Sequence, residues 1–141
     1  EIAERVTALV PKVRTAFAIE TLDYLYKGGR CSAMQNLMAS LLRIRPIIAV
    51  QPDGTLNIRE KVRGSRSKAL AALLDDVKAN LPLIDPQHLF VTHTGCDADA
   101  QYLKQELLAL SPTSEVHITT AGSVIASHCG PDTIGILYLL K

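Results

Sequence analysis

The sequence contains no tryptophan, and only two phenylalanines and four tyrosines occur among its 141 residues. That scarcity removes the aromatic platform on which single-stranded nucleic acids stack. Charge of one sign is lacking as well, since 15 Lys and Arg stand against 14 Asp and Glu for a formal net charge of +1. A bulk basic field of the kind that non-specific nucleic-acid binding needs is therefore not expected. No apolar run reaches the length of a membrane-spanning helix, so stable membrane insertion is not expected either. Cysteine is sparse: Cys31, Cys96 and Cys129 are odd in number, far apart and without CxxC spacing. A disulfide framework and a zinc site are disfavoured, and a reduced, cytoplasmic setting is expected. The chain opens at Glu1 with neither an initiator Met nor a signal peptide, which leads us to expect a piece of a longer protein.

What is present is aliphatic. Hydrophobic residues make up 48% of the chain, nearly all Leu, Ile, Val and Ala. A pocket cut from such a core suits an alkyl chain better than a flat ring. Length and the absence of a linker, repeat or low-complexity segment predict one domain over residues 1–141.

Periodicity supplies the elements. Ile2, Val6, Leu9 and Val10 mark a short leading helix limited by Pro11, and residues 15–19 read as a strand. Thr21 is placed to cap a short helix through Tyr26 that Gly28-Gly29 ends. A second helix is predicted over 32–42, with Met34, Leu37, Met38 and Leu41 on one face. Residues 44–50 and 56–62 form two strands around the turn Pro52-Asp53-Gly54, a β-hairpin. Pro46 lies near the start of its strand, where a missing N–H is tolerable.

A helix capped by Ser65 or Ser67 runs to about Asn80 with Leu70, Leu73, Leu74 and Val77 on one face. A strand over 89–92 follows, then a helix capped by Asp97 with Tyr102, Leu103, Leu107 and Leu110 facing in. Residues 116–119 form a strand, 123–129 a short helix or loop, and 134–140 a last strand buried on both faces. Interleaved helices and strands with one antiparallel hairpin predict an α/β fold: a mixed sheet covered by helices.

Three places carry candidate chemistry. Lys27-Gly28-Gly29-Arg30 offers backbone N–H groups and a cation to an anion, or is simply a helix stop followed by a surface Arg. It lacks the GxxxxGK(S/T) spacing of a P-loop. Arg59, Lys61, Arg63, Arg66 and Lys68 form a local basic patch, the first three on one strand face by alternation. Such a patch docks a carboxylate or phosphate, or protects an edge strand from aggregation. His128, in a Gly-flanked turn beside hydroxyls, can donate a hydrogen bond to an anion or serve only structurally. A Cys129–His128 catalytic pair has no third group to orient the imidazole, and adjacent side chains rarely point at each other. His93 directly follows a strand, where α/β sheets often place functional groups. His88 and His117 lack metal-ligand spacing.

The same segments resemble, in order and spacing, those of the DegV family. Residues 21–30, TLDYLYKGGR, resemble its TLEYLKKGGR segment, and 42–48, LRIRPII, its LLNIKPIL strand. Lys61-Val62-Arg63 matches its KVRT element with Gly64 in place of Thr, and 122–130, GSVIASHCG, resembles GPVIGAHTGPG with Ser123 in place of Pro. The resemblance implies a non-enzymatic carrier with two α/β domains that holds one long-chain fatty acid in the cleft between them. It implies that an N-terminal domain outside this chain supplies Ser and Thr hydroxyls to the carboxylate. Within this chain it places His128 near the carboxylate, and Arg63 and Arg30 toward the cleft mouth. It places Ala18 and Ile125 against the acyl chain, and Thr21 in the same ligand-side segment. It further implies that an ATP-dependent fatty acid kinase phosphorylates the bound acid, with no cofactor or metal on the carrier. A ligand-free regulatory or dimerisation domain, and a small Cys/His enzyme, are the competing readings.

Overall fold

In the computed structural model, residues 1–30 and 44–141 are described; the helix expected over 32–42 lies outside them. Six strands form one mixed sheet. They are β1 (Val13–Ala18), β2 (Ile44–Val50), β3 (Leu56–Arg63), β4 (Ile84–His93), β5 (Val116–Thr120) and β6 (Ile134–Leu140). Their spatial order is β3-β2-β1-β6-β4-β5. Among the described strands only β4 and β5 run parallel, joined by the kind of crossover helix that a parallel pair requires, here Asp97–Leu110.

Among the described residues, five α-helices accompany the sheet: α1 (Ile2–Leu9), α2 (Asp23–Lys27), α3 (Arg66–Asn80), α4 (Asp97–Leu110) and α5 (Ser123–Cys129). Strand alternation divides the interior into two clusters on opposite faces. On one face, α3 and α4 cover Ala16, Ala18, Ile47, Val62, Val91, Ile134 and Ile136. All four apolar residues expected on the inner face of α3 (Leu70, Leu73, Leu74 and Val77) are buried there. On the other face a smaller cluster joins Leu22 and Leu25 beside α2, Cys129 of α5 and Ile48 of β2, with Phe17, Leu56 and Ile58 against it.

The hairpin forms as the alternation predicts. Gly54 N–H donates to Gln51 O (2.9 Å), and the Asp53 carboxylate accepts from the Thr55 N–H (2.9 Å) and hydroxyl (2.7 Å). The strand pairing holds one bulge: Ile47 faces Glu60 and Ile48 faces Ile58, leaving Arg59 unmatched. Pro46 is tolerated because β1 pairs with β2 only from Ile47 onward.

Several expectations shift by a residue or a face. The α2 N-cap is Leu22, although the Thr21 hydroxyl still accepts from the Asp23 N–H (3.2 Å). The α4 N-cap is Cys96, with non-helical φ −116° and ψ 62°, rather than Asp97, and its N–H donates to the His93 ring (Nδ1, 3.1 Å). Tyr102 is exposed; only Leu103 and Leu107 of the expected α4 stripe are fully buried. β4 begins at Ile84, ahead of the expected Leu89, with its pairing to β6 interrupted between those two residues. Helix α1 forms as expected but buries none of its residues.

Candidate functional site

The small-cluster face of the sheet is only partly covered. Between α2 and α5 it leaves a depression of about 550 Å³. Its floor follows from strand alternation: Thr15 and Phe17 of β1, Thr92 of β4, and Gly135 and Leu137 of β6 point to this face. Gly135 lies between Phe17 and Thr92 in the strand pairing. A Cβ there would stand 2.8 Å from both the Ala16 carbonyl oxygen and the Phe17 Cβ. The floor is therefore closed by Phe17 leaning over a glycine. Leu137 lines the open cavity and is only half-buried, so β6 is not buried on both faces as expected.

Helix α5 forms the rim. Val124 and Ile125 are 68% and 55% exposed, unusually high for apolar residues beside a cavity. Arg30, His128 and the buried His93 are the cationic or cation-capable side chains in the lining. Gly28 has φ −79° and ψ 0°, a conformation open to any residue, whereas Gly29 has φ +69°. What excludes a side chain at Gly28 is His128: an added Cβ would overlap Nδ1 and lie 2.8 Å from Cε1. That Nδ1 is buried and has no hydrogen-bond partner among the described residues.

The expected site residues divide. His128, Arg30 and Ile125 line one cavity. Ala18 does not: it belongs to the α3/α4 core on the opposite face, and its neighbour Phe17 takes the cavity position. A one-residue phase error along a strand reverses the face. Thr21 spends its hydroxyl on the Asp23 N–H and lies outside the lining. Arg63 ends the edge strand β3, also outside the lining.

The basic patch is not one face. The bulge turns Arg59 toward α3, where it pairs with Asp76 (3.1 Å). Lys61 and Arg63 flank Val62 of the α3-side core and so point the other way. Arg66 is committed to Glu20 and Asp99, and Arg45 bridges Glu20 (3.2 Å) and the Gly64 carbonyl (2.7 Å). Burial alone would raise the Glu20 pKa, but the hydrogen bonds and charges of Arg45 and Arg66 outweigh it and hold the carboxyl below its usual range.

Chemistry by Cys129 is disfavoured, because it is buried in the small cluster and burial pushes its thiol pKa up. His93 is 97% inaccessible, at 3% relative exposure, and its Nδ1 serves the Cys96 N–H. No group of three or more His, Cys, Asp or Glu side chains able to hold a metal occurs among the described residues. No helix among them is long and apolar enough to cross a membrane.

The mixed six-stranded sheet with its flanking helices is the fold of a known family of α/β proteins. A family model described as "Uncharacterised protein, DegV family" matches residues 1–141, and the chain belongs to the DegV family. A DegV domain-containing protein of Streptococcus pyogenes serotype M3 is 32% identical over 139 residues, covering 99% of this chain and 47% of that protein. The crystal structure of a fatty acid binding DegV family protein from Streptococcus agalactiae superposes with a TM-score of 0.88 at 26% identity, covering 99% of this chain and 49% of that one. The Streptococcus pneumoniae Fatty Acid Kinase B3 protein loaded with linoleic acid shares the fold at a TM-score of 0.85 and 21% identity, over 99% of this chain and 49% of that one. The chain thus spans about half the length of the relatives it matches.

Proposed function

We propose that this chain is one wall of a fatty-acid carrier. A long-chain fatty acid lies along the Phe17–Gly135–Leu137 floor, and a second α/β domain of the full-length protein closes the cleft. The observation that carries the reading is the cavity itself: about 550 Å³, lined by aliphatic side chains, Phe17 and five threonines, with Arg30 and His128 in its wall. Each methylene buried there contributes roughly 0.8 kcal/mol. The carboxylate needs donors where it leaves water, and His128 with Arg30 supplies them from this side. The exposed Val124 and Ile125 are the rim that the second domain covers.

The carrier performs no chemistry of its own. It presents the bound acid to an ATP-dependent fatty acid kinase, with Arg63 and Lys61 on the outer strand forming part of the contact; both are exposed there. Thr21 supports the head-group segment by fixing the start of α2. The setting is cytoplasmic.

Native mass spectrometry of the full-length protein tests the reading. A fatty-acid adduct is expected, weakened by His128→Ala, and the 141-residue chain alone should retain little lipid because half the cleft is missing. Full-length protein that carries no lipid after incubation with oleate would favour the ligand-free regulatory domain instead.

A further inference from the structure

We propose that Gly28 is the positioning residue of His128: the absent side chain at the end of α2 seats the imidazole with Nδ1 sealed against the backbone, leaving Nε2–H as its one donor toward the cavity. The role toward a fatty acid rests on the function proposed above; the seating does not.

Three observations converge. Gly28 occupies a right-handed helical conformation, φ −79° and ψ 0°, that alanine adopts without strain. Backbone freedom therefore does not explain a glycine there. A Cβ at Gly28 would instead overlap His128 Nδ1 and crowd Cε1 at 2.8 Å and the Tyr24 carbonyl oxygen at 3.2 Å. The Nδ1 that occupies this space is buried and unpartnered among the described residues.

An orphaned buried N–H is the costlier of the two ways to leave a ring nitrogen alone, since unmet donors are rarer in folded proteins than unmet acceptors. The neutral ring therefore keeps its proton on Nε2 and turns a bare lone pair toward Gly28. Of the two nitrogens, Nε2 is the one left to meet a ligand, because His128 lines the cavity while Nδ1 is shut from it. A fixed tautomer makes the residue a donor by construction. An anionic head group is what such a donor recognises, and a ligand offering only donors is refused.

The test uses the full-length protein labelled with ¹⁵N-histidine. Two-bond ¹H–¹⁵N correlation at neutral pH should show His128 as the Nε2–H tautomer, without ligand; an Nδ1–H tautomer or an even mixture overturns the proposal. Gly28→Ala should displace the His128 ring signals, lower the thermal midpoint and weaken oleate binding by about ten- to a hundredfold, the value of one hydrogen bond to a charged group. In a His128→Ala background the same substitution should have almost no further effect on stability or binding. Additive effects in the double variant would overturn the proposal. Should Gly28→Ala not fold, Gly28→Ala with His128→Ala must fold, since the overlap with the ring is gone and only the milder 3.2 Å approach to the Tyr24 carbonyl oxygen is left; its failure to do so also counts against the seating. If no fatty acid binds the wild type, the function proposed above falls, while the tautomer and the stability cycle still decide the role of Gly28.

Discussion

The His128 ring rests against Gly28, and the Tyr24 ring rests against Gly130. The two contacts are reciprocal, since each helix, α2 and α5, ends in a glycine that receives the aromatic side chain of the other. A Cβ on Gly130 would lie 2.8 Å from Tyr24 Cε2 and 3.0 Å from Cγ, and Gly130 has φ +86°. The two segments that carry the candidate head-group donors are therefore locked together, although nearly a hundred residues of sequence separate them. Gly130 differs from Gly28 in needing both the space and the left-handed backbone. Gly130→Ala is expected to destabilise by about 2–4 kcal/mol, combining overpacking with positive-φ strain. Adding Tyr24→Ala should recover the packing part but not the backbone part, a difference that denaturant titration of the double variant can read.

The ionic cluster around Glu20 predicts an acid limit. Its depressed carboxyl binds fewer protons in the folded state than in the unfolded one near its ordinary pKa of about 4.3. The stability it contributes is complete above that value and is lost as pH falls through the lower folded pKa. Glu20→Gln should lower stability at neutral pH, where Arg45 and Arg66 lose their shared partner. The gap between variant and wild type should shrink as the pH drops below about 4. A gap that stays constant down to pH 2 would show that the pair is not what couples stability to pH.

The hairpin, β2, β6 and the buried face of α3 were legible because each rests on local rules: turn chemistry, β-branched runs and a 3.6-residue period. What escaped was phase. Nothing local announces the bulge at Arg59, so alternation put Arg59 with Lys61 and Arg63, when it faces Asp76 on α3. Ala18 and Phe17 differ by one step along β1, and only tertiary packing decides which faces the cavity. The early start of β4 lies in a stretch whose pairing with β6 is interrupted between Ile84 and Leu89, so no continuous alternation marks it. The seating of His128 on Gly28 joins two segments remote in sequence; each read by itself as an anion contact or a structural feature, and no local pattern links them.

Cys129 gives a direct test against thiol chemistry. Burial raises its pKa, and no cation among the described residues offsets that shift. Native full-length protein at neutral pH should modify slowly at Cys129 with iodoacetamide, and fully only after denaturation, as read by peptide mass spectrometry. Rapid, stoichiometric alkylation of the folded protein at that residue would restore the nucleophile reading.

Phe17 and Gly135 set the depth of the cavity from opposite sides of one strand pair. Gly135→Ala must push against a fixed backbone oxygen of Ala16 as well as the Phe17 side chain, so it should cost about 1–3 kcal/mol and raise the floor. Phe17→Ala acts in the reverse sense. It should cost less than the 3–5 kcal/mol of a fully buried Phe truncation, because Phe17 is only half-buried, and it opens space beside Gly135. In full-length protein offered an equimolar mixture of straight-chain and branched fatty acids, Phe17→Ala should shift the bound fraction toward the bulkier chains. A shift of about 1.4 kcal/mol is tenfold in that ratio, well within reach of native mass spectrometry. An unchanged bound distribution with lowered stability would mean that Phe17 only supports the sheet, and that the acyl chain runs elsewhere along the cleft.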